Sequence, residues 1–169
     1  MNYLEEWTGL QSSDVLFDTD VNSWSMYTAL LNERIFGKKQ IVFLIEDEDG
    51  EKFGYYLHTT VKEIMWEEKA FEADSESFEF NIQSKDNRLP NPMKFEIKDV
   101  KEGGYKLWLN DNDPGFLIFI GDIVLMLKNY KNCCLCSQKN ENFDYHGIEN
   151  ALCGKTGFEL KRLVVIQMK

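Results

Sequence analysis

Two apolar segments joined by an acidic turn constrain the fold of this chain more than any other stretch. Residues 41–45 (IVFLI) form an unbroken apolar run that is rich in β-branched and aromatic residues and too short for an ordinary helix. The dipeptide Asp49-Gly50 lies in the turn and is typical of the two-residue loop of a β-hairpin. Residues 53–58 then supply the return strand. The pattern predicts a hairpin in the middle of the fold.

A two-residue loop fixes which side chains of this hairpin share a face. Phe43 would face Tyr56, and Gly54 would lie opposite Ile45, where a missing side chain lets a second layer approach closely. His58 would then be a hydrogen-bonded core histidine. One predicted face carries Ile41, Phe43, Ile45, Tyr56 and His58, and the other carries Val42, Leu44, Phe53, Tyr55 and Leu57. Both faces are apolar, so we expect both to be covered.

The rest of the chain shows one helical pattern and several short strand patterns. Residues 23–36 carry apolar side chains at helical spacing and predict a helix. Phe78, Phe80 and Ile82 alternate with polar residues, which predicts a strand with one face in water. Residues 160–168 (LKRLVVIQM) predict an apolar closing strand.

These patterns define the fold class. About nine short strands and one clear helix predict an α+β, predominantly β fold, namely a two-sheet antiparallel β-sandwich flanked by a few helices. No internal repeat or long linker divides the 169 residues. We therefore expect a single domain over residues 1–169, with residues 1–14 as a candidate N-terminal appendage.

Charge and the first residues narrow the function classes. The formal net charge of −10 disfavours nucleic-acid binding, which needs a basic surface, and docking on an anionic membrane. Sequence-specific nucleic-acid binding through a local patch therefore ranks third among the functions considered. Glu5, Glu6 and Trp7 stand where a signal peptide would need an apolar run. We expect a cytoplasmic protein without membrane insertion.

The four cysteines are expected to be reduced thiols, as is usual in a cytoplasmic protein. Cys134, Cys136, Cys153 and His146 could supply a Cys₃His set, but their spacing is not that of a common zinc module. Neither the turn at residues 46–51 nor the turn at residues 110–115 matches a calcium-binding loop. We therefore predict no metal and no cofactor. If the chain is an enzyme of unknown reaction with a Cys/His site, Cys136, Cys153 and His146 are the first residues to test.

Five stretches of the chain, taken in order, resemble the TLDc domain family. They cover most of the sequence from Val15 onward, and they begin with the central hairpin. The matching stretches are IVFLIEDEDGEKFGYYL, SFEFNI, GDIVLML, CCLCSQ and GFELKRLVVIQM. The resemblance implies a β-sandwich flanked by helices and a role in protection against oxidative stress. It also implies binding to the vacuolar proton pump, which some family members regulate, and it supplies no catalytic residues to carry over.

The leading interpretation is a non-enzymatic TLDc-like module that binds a protein partner of unknown identity. The best sequence candidates for the partner-binding surface are the acidic stretches around residues 46–51 and 66–76, which combine carboxylates with aromatic side chains. The alternative is that these stretches are solvated turns that keep an acidic protein soluble. The predicted partner-binding residues are Glu46, Glu48, Trp66, Glu67, Glu68 and Phe71.

Overall fold

Strands dominate the computed structural model, which describes residues 2–25, 30–62, 69–89, 91–107 and 115–169. Within these ranges the strands form two antiparallel sheets of six strands each, so the predicted β-sandwich is confirmed. In spatial order, the first sheet contains β1 (Ser12–Asp18), β12 (Leu160–Met168), β2 (Ile41–Asp47), β3 (Lys52–Leu57), β5 (Phe78–Gln83) and β6 (Met93–Glu96). The second contains β11 (Gly157–Phe158), β10 (Cys134–Cys136), β9 (Ile123–Met126), β8 (Phe116–Ile120), β7 (Tyr105–Leu107) and β4 (Lys69–Phe71).

Three short helical segments accompany the sheets: α1 (Tyr3–Thr8), α2 (Leu31–Ile35) and a 3-10 segment (Lys128–Cys133). The predicted helix over residues 23–36 is therefore too long at its start. Trp24 is buried and its carbonyl accepts the N–H of Lys128 at 3.1 Å, which holds this segment against the 3-10 segment instead of in a helix. Residues 26–29 lie outside the described ranges.

The central hairpin is present as β2 and β3, but the predicted register is wrong by one residue. Phe43 pairs with Tyr55, and Glu46 pairs with Lys52. The reason is a three-residue loop: Asp47 N–H donates to the Glu51 carbonyl at 3.1 Å, and Gly50 adopts a φ of 90°. The buried carboxylate of Asp47 holds this loop, because its Oδ1 accepts the N–H groups of Asp49 and Glu51, each at 3.0 Å.

The register decides which residues face the second sheet. Ile41, Phe43 and Ile45 of β2 share their face with Phe53, Tyr55 and Leu57 of β3, and all six are buried in the core between the sheets. Val42 and Tyr56 belong to a separate apolar cluster on the opposite face, together with Leu4, Phe78, Phe80 and Met168. Both faces are apolar, as predicted, although the assignment of residues to them differs.

Gly54 lies opposite Leu44 and not opposite Ile45 as predicted. A Cβ at this position would overlap the Phe43 carbonyl oxygen and would lie 2.9 Å from the ring of Phe80. The glycine therefore allows the aromatic ring of β5 to lie directly against the backbone of β3.

Strand β5 also differs from its prediction, because its polar face is not in water. Glu79 and Asn81 have 0% and 1% exposure, respectively, since this face of β5 points toward the second sheet. The apolar residues of the strand point to the opposite face, where Phe78 and Phe80 pack with Tyr56. The predicted alternation is present, but the polar face of β5 points toward the second sheet and not into water.

Candidate functional site

The face of the first sheet that points away from the second sheet carries a continuous set of apolar side chains. We define this outer face by Val15, Leu44, Ile82 and Ile166. Leu44, Ile82 and Ile166 are partly buried and pack against the cluster of Leu4, Val42, Tyr56, Phe78, Phe80 and Met168, whereas Val15, which pairs with Ile166, is 62% exposed. Five strands and one short helix contribute to this surface.

Helix α1 covers only part of the outer face. Asn2 caps its start, because the Asn2 Oδ1 accepts the Leu4 N–H at 3.2 Å, and Gly9 ends it in a left-handed conformation with a φ of 69°. A helix of six residues has little stability of its own, so packing must hold it in place. Leu4 is buried in the cluster, and the Trp7 ring lies 6.1 Å from that of Phe78.

A cleft of about 300 Å³ opens beside α1, and His58 lies in its lining. His58 follows β3, and its Nδ1 lies 2.6 Å from Asp74 Oδ2. The predicted core location of His58 is wrong, because the side chains of both residues are 37% exposed. The N–H of His58 donates to Ser77 Oγ, which is buried and fixes the end of the strand. The contact with Asp74 fixes the orientation of the imidazole ring.

The sequence-predicted cysteines come together, but the predicted histidine does not join them. The sulfur atoms of Cys136 and Cys153 lie 3.4 Å apart, and both residues are buried. His146 instead lies against the Phe95 ring at 6.3 Å and near Asp144, with Nδ1 3.7 Å from its carboxylate. The contacts found for His146 are thus with Phe95 and Asp144 and not with the two thiols.

The acidic turn of the hairpin is paired with lysines of neighbouring segments. Glu46 Oε1 accepts the Lys161 ammonium at 2.7 Å, and this contact lowers the pKa of Glu46 below its ordinary value. Glu48 is exposed, and its nearest ammonium is that of Lys131 at 3.9 Å. Asp49 forms an ion pair with Lys155. The turn therefore presents both signs of charge and is not a purely acidic patch.

The second acidic stretch is only partly described. Phe71 lies in β4, is partly buried and stacks on Tyr105 with ring centroids 5.0 Å apart. Trp66, Glu67 and Glu68 lie outside the described residues. Their role in partner binding stays a prediction.

A buried carboxyl pair is the polar feature that sequence reasoning missed. Glu79 Oε1 accepts the N–H of Asp122 at 2.7 Å, and the Tyr145 hydroxyl lies 2.6 Å from both Glu79 Oε2 and Asp122 Oδ2. Asp122 also accepts the Asn142 amide at 2.8 Å and the Lys139 N–H at 2.5 Å. We call Glu79, Asp122 and Tyr145 the carboxyl–tyrosine cluster.

This cluster holds a proton. A hydroxyl has one hydrogen, so Tyr145 can donate to only one of the two carboxyls, and the other contact requires a proton on a carboxyl. Burial raises the pKa of Glu79 well above its ordinary value, and the nearby Asp122 carboxylate raises it further. Protonated Glu79 thus donates to the Tyr145 oxygen, and Tyr145 donates to Asp122. The polar groups of the carboxyl–tyrosine cluster therefore have hydrogen-bond partners although they are buried between the sheets.

The described residues were compared with the arrangements that a metal site and a membrane span require. In the part of the chain that the structure describes, no group of three or more His, Cys, Asp or Glu side chains is arranged to hold a metal ion. None of the helices in the described ranges has the length and apolar character needed to cross a membrane. No protein-family model matches this chain, and no curated protein matches its sequence.

Proposed function

We propose that this chain is a non-enzymatic protein-interaction module and that its partner binds on the outer face. One observation carries the proposal: beside the buried cluster of the outer face, Leu44, Ile82 and Ile166 are only partly buried and Val15 is 62% exposed. Large contiguous apolar surfaces on soluble proteins commonly mark interaction sites. Val15 is the most accessible member, at 62% exposure.

Charged pairs border this surface. Lys169 pairs with Asp14 at 2.9 Å beside Val15, and Lys161 pairs with Glu46 at 2.7 Å on strands β12 and β2. An apolar centre with a polar margin is the usual composition of a protein–protein interface. The pairs on the margin are exposed, so they set specificity and steer encounter more than they add affinity.

The resemblance to TLDc domains suggests where a partner should be sought. We propose the vacuolar proton pump and proteins of the oxidative stress response as the first partners to test. Two features support this choice: the order of the matching stretches and the two-sheet sandwich, which is the fold that the resemblance implies.

A second candidate function, an enzyme, is favoured by one observation. The 2.6 Å contact between His58 and Asp74 orients an imidazole at the edge of a cleft, as a general base requires. The interaction module ranks first because it accounts for a whole face of the sheet, whereas the cleft accounts for one pair of side chains.

The test is recovery of partners from native cells with the intact chain as bait. Val15→Lys places a charge at the exposed edge of the outer face, and Leu135→Lys is the matched control, because Leu135 is 47% exposed on β10 of the other sheet. We expect Val15→Lys to lower partner recovery about tenfold, because it puts a charge against an apolar contact, and Leu135→Lys to leave it unchanged.

Two further variants separate the competing interpretations. Reversing the charges of Glu46 and Glu48 tests the acidic turn, and His58→Asn tests the cleft. Full recovery with Val15→Lys, together with loss after charge reversal, would show that the acidic turn is the binding face. Thermal melts of every variant establish that a loss of binding does not come from unfolding.

A further inference from the structure

Two buried thiols are in contact between the sheets. The Sγ atoms of Cys136 and Cys153 are 3.4 Å apart, and each residue has 3% exposure. Closing this distance to a covalent S–S bond of about 2.0 Å requires a relative movement of roughly 1.4 Å.

The two cysteines lie on different elements. Cys136 is the last residue of β10, where its N–H donates to the Thr156 carbonyl at 2.7 Å. Cys153 lies in the loop between β10 and β11, which consists of turns and contains no strand in the described residues. The Arg88 guanidinium donates to the Ala151 carbonyl and so ties this loop to the first sheet's side of the molecule, and within the loop the Ala151 N–H donates to the Gln138 side chain. These bonds hold Cys153 beside Cys136, so the two sulfurs are already in contact before any bond forms.

We propose that Cys136 and Cys153 form a reversible dithiol site, which a hydroperoxide oxidises to an intrachain disulfide. The proposal is independent of the partner-binding face, since it rests on different residues and a different sheet.

The two sulfurs differ in a way that assigns their roles. The contact with Cys136 lowers the pKa of the Cys153 thiol below its ordinary value, although burial opposes the effect, whereas burial raises the pKa of Cys136. Lys155 favours the Cys153 thiolate, and Asp47 opposes it. Cys153 is therefore the attacking thiolate, and Cys136 is the resolving thiol.

The chemistry balances in two steps. The Cys153 thiolate attacks one peroxide oxygen, an S–O bond forms, the O–O bond breaks, and the leaving oxygen takes a proton to become water or an alcohol. The Cys136 sulfur then attacks the Cys153 sulfenic sulfur, an S–S bond forms, and the S–O oxygen leaves as water with the Cys136 proton. The two thiols together lose two electrons, and the peroxide gains them. A dithiol reductant reverses the oxidation.

The other two cysteines are natural controls. Cys134 is also buried, but its sulfur accepts the N–H of Met126 at 3.4 Å, and burial raises its pKa to about 11. Cys133 is exposed and lies near the Asn132 side chain. A general oxidation of accessible thiols would modify Cys133 first, whereas the proposed site would link Cys136 to Cys153.

The experiment treats the reduced, folded full chain with hydrogen peroxide and maps its peptides without reduction. We expect a linked pair of peptides that contain Cys136 and Cys153, with a mass lower by two hydrogen atoms, and recovery of both thiols after dithiothreitol. The Cys134→Ser variant should form the same link. In the Cys136→Ser variant, dimedone should trap a sulfenic acid at Cys153.

A second probe does not depend on any variant. Phenylarsine oxide bridges two neighbouring thiols, so one equivalent added to the folded wild-type chain should protect Cys136 and Cys153 from alkylation after the chain is unfolded, whereas Cys133 and Cys134 should be alkylated. Failure to form the link in folded wild-type protein, or equal linkage of all cysteine pairs as in the urea-unfolded chain, would overturn the proposal. Loss of partner binding in the pull-down would not affect it.

Discussion

The two faces of the first sheet differ in both burial and composition. The inner face is fully buried yet contains Glu79 and Asn81 beside Phe43 and Tyr55. The outer face is only partly covered yet carries mainly apolar side chains. Burial alone therefore does not dictate composition: polar residues are tolerated inside because loops of the second layer bring partners to them.

The partners of the inner face come from far along the chain. Glu79 meets Asp122 and Tyr145, and the Asn81 amide donates to the Leu152 carbonyl at 2.5 Å. On the outer face the only described helix is six residues long. Residues of the same chain therefore cover the inner face, whereas we propose that a second molecule covers the outer face.

The largest expected effect tests the apolar part of the inner face. Phe43→Ala should lower the free energy of unfolding by about 3–5 kcal/mol, because the ring is fully buried and its removal leaves a cavity. The neighbouring Leu44→Ala is the control on the outer face and should cost less, since Leu44 is only partly buried. Chemical denaturation measures both. Equal losses would remove the contrast between the faces.

The next effect tests the polar part of the inner face. Tyr145→Phe should lower the free energy of unfolding by about 1–3 kcal/mol, because it removes the hydroxyl between two buried carboxyl groups. Tyr130→Phe is the matched control, since Tyr130 is 46% exposed, and should change stability by about 0.5 kcal/mol at most. A Tyr145→Phe variant as stable as the wild type would show that the carboxyls do not depend on the hydroxyl.

A third prediction concerns pH. The pKa of Glu79 is raised by burial well above its ordinary value of 4.5, so above that pH the folded chain keeps a proton that the unfolded chain releases. Stability should therefore fall as pH rises above 4.5, by at most about 1.4 kcal/mol for each pH unit, until Glu79 ionises in the folded state.

Glu79→Gln isolates this contribution. The Gln amide can donate to the Tyr145 oxygen as the protonated acid does, so the variant should lose the downward slope of stability above pH 4.5. Urea denaturation of both proteins over a pH series measures the difference. An unchanged slope in the variant would mean that another group binds the proton.

The smallest expected effect sharpens the contrast on the outer face. Val15→Ser should change the free energy of unfolding by about 0.5 kcal/mol at most, because Val15 is already 62% exposed. The same substitution should weaken partner binding. A destabilisation well above 1 kcal/mol, on the usual scale for surface sites, would show that Val15 is covered in the isolated chain.

The sequence was sufficient for the strands that carry strong apolar patterns. Residues 160–168 were predicted as the closing strand, and β12 has these bounds. The hairpin was also predicted, but its register depends on how Asp47 hydrogen-bonds the turn, and side-chain patterns do not show that contact. Because the loop has one residue more than predicted, Phe43 pairs with Tyr55 and not with Tyr56.

The polar sites were harder to predict, because their contacts are long-range. Glu79 lies 43 residues from Asp122 and 66 from Tyr145, so alternation along β5 could only suggest a wet face. Cys136 and Cys153 were named from their chemistry, but their contact depends on how the loop folds back on β10. The pattern predicted two apolar faces but did not reveal that one of them lacks a second sheet, because apolar side chains look the same whichever layer covers them.

Gly54 has a consequence for how the sheet assembles. It pairs with Phe80, whose ring lies where a side chain at position 54 would be. If β5 slipped by one residue, Phe80 would meet Phe53 or Tyr55, and neither leaves that space. The Phe80 ring fits only opposite a residue without a side chain, so the contact with Gly54 selects one alignment of β5. That alignment keeps Glu79 turned toward Asp122 and Tyr145.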